Sequence, residues 1–193
     1  LLGAVAHSPK QLEIDLTWID EQVKGKPYGV DLLLPLNFAE TGPGRATTES
    51  VADKFPPEHL DFLKDMLDRY DVPGLPDAVS AARGGMSVSP EAAGTLLDVA
   101  LQHPIRLLAS ALGPPTPELI QKAHERDILV AALVGAPSHA LKQQAAGVDL
   151  IVAQGTEAGG HTGQISTMVL VPEVVRSVAP TPVLAAGGII TGA

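Results

Sequence analysis

Val148-Asp149-Leu150-Ile151-Val152-Ala153-Gln154-Gly155-Thr156-Glu157-Ala158-Gly159-Gly160-His161 is the stretch on which the fold turns. An apolar run of strand length empties into a loop with three glycines, one carboxylate and one histidine. Glycine has no Cβ, so such a loop lets backbone come close to a flat or phosphorylated ligand. Histidine is the residue type best suited to giving or taking a proton at the end of such a loop. A second stretch of the same kind follows, Pro182-Val183-Leu184-Ala185-Ala186-Gly187-Gly188-Ile189. Two glycine-rich strand ends one βαβ unit apart point to a cofactor site rather than to two unrelated turns.

Outward from this stretch, short apolar runs alternate with helix-like segments. Leu1–Ala6 reads as the end of a strand, and Ser8-Pro9 as an N-cap with proline at the first helical position. The helix it opens runs to about Val23 with Leu12, Leu16 and Ile19 on one face. Tyr28–Pro35 is an apolar strand interrupted only by Asp31, and Ile105–Leu112, Ile128–Val134, Asp149–Ala153 and Val183–Ala186 are four more strands. Helices are expected at about 116–126, 137–146 and 171–178. Apolar strands separated by amphipathic helices indicate a parallel sheet covered on both sides.

The region from Asn37 to His103 breaks this rhythm. Pro56-Pro57-Glu58 opens a helix carrying Leu60, Phe62, Leu63, Met66 and Leu67, which ends near Asp71 before Pro73. A loop rich in Gly, Ser and Ala follows, then a helix from about Ser89 to Gln102. Residues 37–103 are therefore expected to form an insertion after the second visible strand, serving as a lid or as a packing element. Six parallel strands do not close a barrel of about eight. The expected fold is an α/β (β/α)8 TIM barrel of which residues 1–193 supply about strands two to seven, the chain being part of a longer polypeptide. An open doubly wound sheet is the alternative; it suits the length but not glycines at two successive strand ends.

Composition sets bounds on function. The length of 193 residues fits one domain, and an apolar fraction of 45% suffices for a core. No window reaches the ~18 uninterrupted apolar residues of a membrane span. With no cysteine there is no disulfide, thiolate metal site or cysteine nucleophile, which fits a cytoplasmic protein, and no metal site is expected. The net charge of −9, without a local Lys/Arg cluster, argues against nucleic acid as a partner.

Ala153-Gln-Gly-Thr-Glu-Ala-Gly-Gly-His161, followed by Thr167-Met-Val-Leu-Val-Pro172 and Ala185-Ala-Gly-Gly-Ile189, resembles the nitronate monooxygenase family, also called the 2-nitropropane dioxygenase family. The resemblance is specific over about 105–193, fair over 1–35 and weak through the insertion. It implies an FMN-dependent (β/α)8 barrel that oxidises alkyl nitronates with O2. It further implies that His161 is catalytic and that Gln154, Gly159 and Gly160 contact the flavin. On the same resemblance, Gly187 and Gly188 would hold its phosphate, and Lys142 matches a lysine that commonly touches the flavin. One departure is Gly29-Val30-Asp31, where the family often has Gly-Val-Asn near the flavin. An ionised Asp31 there would raise the energy of an anionic reduced flavin unless it is protonated or points away.

Each residue also has a plainer reading. His161 alone would be a solvent-facing loop histidine, and Lys142 a solvated helix lysine. Glu157 reads as a structural group bonding loop amides. His7, His59, His103, His124 and His139 read as surface or capping groups. Gln154 ends a buried strand, where its amide needs a partner that a flavin edge would supply. Ser110 and Ala111 are candidates to line the pocket. The expected partners are a small-molecule substrate and O2, with no nucleic acid and no membrane; a homo-oligomer is compatible with them. The main rival is an FMN-dependent, NAD(P)H-using reductase or dehydrogenase of enoyl thioesters of ACP or CoA, including the kind acting in steroid-ring breakdown. The FMN-dependent enoyl-ACP reductases share a very similar Glu-Ala-Gly-Gly-His segment. A non-catalytic phosphate- or nucleotide-binding barrel is the rival from another class.

Overall fold

The computed structural model describes residues 1–5, 7–33, 56–72, 90–111 and 113–191. Its sheet has six strands: β1 (Leu2–Gly3), β2 (Gly29–Leu32), β3 (Leu107–Ser110), β4 (Leu129–Val134), β5 (Leu150–Gln154) and β6 (Val183–Ala186). Every neighbouring pair is parallel, and the spatial order is the chain order, β1 to β6. The helices are α1 (Pro9–Val23), α2 (Pro57–Arg69), α3 (Pro90–Ala100), α4 (Pro117–His124), α5 (Pro137–Ala146) and α6 (Thr167–Val178).

Local chemistry explains several boundaries. Ser8 caps α1, its hydroxyl accepting from the Gln11 amide at 3.2 Å with Pro9 in the first turn. Thr116 does the same for α4, accepting from Leu119 N at 3.2 Å ahead of Pro117. Helix α6 begins at Thr167, four residues before the expected 171, and Pro172 lies inside it. A carboxylate from a distant part of the loop meets the first α6 amide, which local sequence does not reveal.

Two compact units divide the chain. The first comprises Leu1–Phe38 and Val88–Ala193, the second Ala39–Ser87. The stretch 37–103, expected to be one insertion, is thus split. Helix α3 carries Leu96, Leu97 and Ala100 into the sheet's own hydrophobic cluster, because its apolar stripe needs that partner. In the second unit the described part is helix α2 and its flanks; Pro57 opens the helix, and Tyr70 N closes it on Met66 O at 3.2 Å. The rest of the lid expectation falls on 34–55 and 73–89, outside the described residues.

Strand alternation sorts the sheet into two faces. Val30, Leu108, Val130, Ala132, Val134, Ile151 and Ala153 point one way. They join Leu12 and Leu16 of α1, Ile120 and Ala123 of α4, Ala140 of α5, and Leu170, Val174 and Val178 of α6 in one buried cluster. Each fully buried Leu or Ile stabilises this layer by about 1.5–3 kcal/mol relative to exposure. All five described helices of this unit therefore cover one face, not both as the sequence pattern suggests. Sequential strand order with helices on one side excludes the doubly wound alternative, whose strand order reverses at a switch point with helices on both faces. The fold is a curled parallel sheet, a partial (β/α)8 barrel, and its opposite, concave face is where a barrel encloses its interior.

Candidate active site

The C-terminal ends of the strands carry the candidate chemistry, as barrels of this kind place it. Register puts Gln154, the last residue of β5, opposite Ala186 at the end of β6. By alternation both lie on the concave face with Leu133, Val152 and Leu184 below them. The Gln154 side chain is half-buried and makes no hydrogen bond among the described residues. Ser110 is fully buried on the opposite, helix-facing side, in register with Leu32 and Ala132. It does not line the concave face, contrary to its expected place in the pocket. Ala111, next in the chain, is half-buried.

Beyond Gln154 the chain makes a 3-10 turn, Thr156–Ala158, and then Gly159 (φ +71°) and Gly160 (φ +65°). A Cβ on either of these two would meet nothing within 4 Å. His161 follows, exposed. The loop then folds back so that Gly163 touches Gly135 at the end of β4, where a Cβ on Gly135 would lie 2.6 Å from Gly163 N. Two strand-end loops thus meet backbone to backbone, a contact the sequence reading missed. Gly163 gives no local signal of it.

Glu157 and Thr167 tie the two glycine stretches together. The Glu157 carboxylate accepts from the Thr167 amide at 2.8 Å. The Thr167 hydroxyl lies 2.8 Å from the same oxygen and 2.9 Å from the Gly187 carbonyl, so its single proton serves one acceptor at a time. The Thr167 amide, then Glu157's own amide and the Thr167 hydroxyl, hold the Glu157 carboxyl below its ordinary range. Glu157 therefore occupies the positive end of α6 and fixes the loop, the structural role its sequence position suggests. Gly155 N also donates to Ala186 O at 3.0 Å, joining the β5 loop to β6 directly.

Gly187 (φ +109°) and Gly188 (φ +71°) follow β6. Here a Cβ would be crowded: on Gly187 it would lie 2.8 Å from Thr167 Oγ1 and 3.0 Å from Ala158 N, on Gly188 3.2 Å from Glu157 Cβ. Among the described residues, the amide hydrogens of Gly160, His161, Gly187 and Gly188 have no partner within the chain. Unpaired amides on two neighbouring loops suit an anion. The geometry thus gathers Gln154, Gly159, Gly160, His161, Gly187 and Gly188 at one end of β5 and β6. Lys142 stands apart from them. It is exposed on α5, whose neighbouring Ala140 and Gln143 are the buried ones.

Asp31 lies one residue before the end of β2, on the concave face in register with Gly3 and Ala109. Its Oδ1 is buried without a hydrogen-bond partner, and burial pushes its carboxyl above the ordinary aspartate range. Three of the other histidines have acidic partners. His7 Nε2 meets Asp15 at 2.8 Å, and His124 Nε2 meets Asp149 at 2.9 Å. His103 is a correction to its reading as a surface group. Its side chain is only 8% exposed, wedged between Asp20 (2.7 Å) and Glu13 (3.4 Å) of α1, because α3 packs on that helix. No group of three or more His, Cys, Asp or Glu among the described residues could hold a metal ion. No helix among them is long and apolar enough to cross a membrane.

A protein of Mycobacterium tuberculosis named as a monooxygenase is 57% identical over 193 residues, covering 100% of this chain and 52% of the relative. Another protein of that organism is named (3aS,4S,5R,7aS)-5-hydroxy-7a-methyl-1-oxo-octahydro-1H-indene-4-carboxyl-CoA dehydrogenase. It is 37% identical over 119 residues, 60% of this chain and 33% of its own. The chain therefore spans about half the length of the first of these relatives and a third of the second. Among solved structures, nitroalkane oxidase from Streptomyces ansochromogenes superposes with a TM-score of 0.69 at 26% identity, over 99% of this chain and 51% of that one. The profile of the nitronate monooxygenase family matches residues 1–193 without a gap at either end. With that match over a partial barrel of parallel strands, the chain belongs to the nitronate monooxygenase family.

Proposed function

We propose that this chain carries the cofactor-binding strand ends of an FMN-dependent oxidoreductase, a cytoplasmic enzyme that oxidises alkyl nitronates with O2. The observation that carries the proposal is the loop after β5, where His161 is exposed beside two left-handed glycines with open space above them. The residues fit FMN. Unpaired amides at Gly160, Gly187 and Gly188 suit its phosphate, and the carboxamide of Gln154 offers a donor and an acceptor to the edge of its ring. Lys142, on the exposed side of α5, is left out of this set.

Bound FMN would supply the electron-accepting chemistry that no side chain offers. The protein's part is to bind an anion, hold it and exclude water. His161 donates a hydrogen bond to the nitronate oxygens, or takes the proton when the substrate is a neutral nitroalkane. Proton transfer of this kind is worth about 10²–10⁴-fold.

The relative named as a carboxyl-CoA dehydrogenase favours a second reading, an NAD(P)H-using, FMN-dependent reductase or dehydrogenase of ACP or CoA thioesters. The visible spectrum of the full-length protein decides between them. Anaerobic bleaching of a flavin band by propionate 3-nitronate, with no response to NADPH, is the result expected of the first reading. Bleaching by NADPH alone would transfer the proposal to the second. No flavin band after incubation with FMN would overturn both.

A further inference from the structure

The concave face is apolar apart from two described side chains, Gln154 and Asp31. Gln154 is neutral and can satisfy itself with water at the strand end. Asp31 is in a different position. One carboxylate oxygen is already shut away from water and hydrogen-bonds to nothing. Leaving a charged oxygen in that state is expensive, and natural proteins rarely do so without a purpose.

Nothing on the surrounding strands holds the charge. The row in register with Asp31 is Gly3 on β1, Ala109 on β3, Ala131 on β4 and Leu150 on β5. The row before it holds Gly29, Leu107 and Leu129, and the rows beyond hold Leu133, Val152 and Leu184, then Gln154 and Ala186. None of these side chains is titratable or charged. Burial is also the only cause that displaces the Asp31 carboxyl, and it displaces it upward. Of its neighbours in register, Ala109 offers only a methyl group and Gly3 no side chain, and a Cβ on Gly3 would meet nothing within 4 Å.

We propose that Asp31 is a ligand-contacting, specificity-determining residue. As the bound group covers the concave face, Asp31 takes up a proton and donates it in a hydrogen bond to an acceptor atom of that group. A ligand lying over the sheet removes the remaining water from the carboxyl, so the neutral form gains over the charged one. Occupancy and protonation are then linked, and each favours the other. The acceptor is a carbonyl oxygen or ring nitrogen, and a ligand presenting only hydrogen-bond donors at this point is disfavoured. The inference rests on the reading of this face as the flavin side of the site.

The test is calorimetric titration of the apo form of the full-length protein with FMN, from about pH 5 to pH 8, in two buffers of different ionisation enthalpy. Wild type is expected to take up a proton on binding. Its affinity should fall by up to about tenfold per pH unit between the free and the bound carboxyl's titration. Asp31→Asn, neutral and of the same shape, should show no proton uptake from this position, only the pH dependence that the FMN phosphate itself contributes, and affinity at the alkaline end equal to or above wild type. Asp31→Ala should bind more weakly than Asp31→Asn at every pH, with unfolding midpoints confirming that both variants fold. Wild-type affinity that falls no more steeply with pH than that of Asp31→Asn, with no greater proton uptake, would overturn the proposal while leaving flavin binding intact. If wild type and both variants all fail to bind FMN, the flavin reading falls and the inference with it.

Discussion

Two glycine pairs in this molecule both take positive φ, in opposite surroundings. Gly159-Gly160 sits after β5 with open space where side chains would be, whereas Gly187-Gly188 sits after β6 pressed against Thr167, Ala158 and Glu157. The first pair is glycine because the backbone must turn beside an open site. The second is glycine because there is no room for anything else. The two glycine-rich strand ends are therefore two devices. One opens a surface and the other locks the frame that holds the opening in place.

The comparison breaks most visibly through the residue that the open pair presents. His161→Ala is expected to lower kcat/KM of the full-length enzyme by about 10²–10⁴-fold while leaving its unfolding midpoint in place. A shift in stability instead, with activity kept, would make His161 part of the frame. The next effect contrasts the pairs directly. Gly187→Ala adds backbone strain to a clash with atoms that cannot retreat, and should cost about 2–4 kcal/mol in denaturant unfolding. Gly160→Ala meets no clash and should cost only the strain, about 1–2 kcal/mol. Equal costs would erase the distinction between the two pairs.

Thr167→Val removes a hydroxyl placed between Glu157 and the Gly187 carbonyl. It should cost about 1 kcal/mol in the same unfolding measurement, with flavin affinity falling alongside if the frame holds the site. The smallest effect is a pH dependence. Glu157 is held below its ordinary value in the folded protein, so its contribution is present above the unfolded value and is lost as pH falls through the folded one. Wild-type stability should therefore lose an increment under acid conditions that Glu157→Gln lacks, measured as the difference between their unfolding midpoints against pH.

Much of this was legible in local sequence. Apolar periodicity located α1, α5, β4 and β5 to within a residue or two, and Ser8-Pro9 announced a helix start through capping chemistry. The loop from Gln154 to His161 stood out because glycine, carboxylate and histidine together after an apolar strand are an unusual combination. Where the reading fell short, the cause was a contact between distant residues. Helix α6 starts early because Glu157, ten residues back, receives the Thr167 amide. His103 is buried because α3 packs on α1, bringing it onto Asp20 across 83 residues.

The sequence by itself determined that this is a βα-alternating chain of the nitronate monooxygenase kind, with glycine-rich loops after β5 and β6. Hydrophobic period and turn residues are short-range properties, and they survive in a linear reading. Only the tertiary structure decided which face each strand residue takes. It turned Ser110 toward the helices and Asp31 toward the concave side, left Lys142 outside, and set Thr167 between Glu157 and Gly187. Those outcomes depend on register and on contacts between loops, since a parallel strand's neighbour lies a whole helix away in sequence.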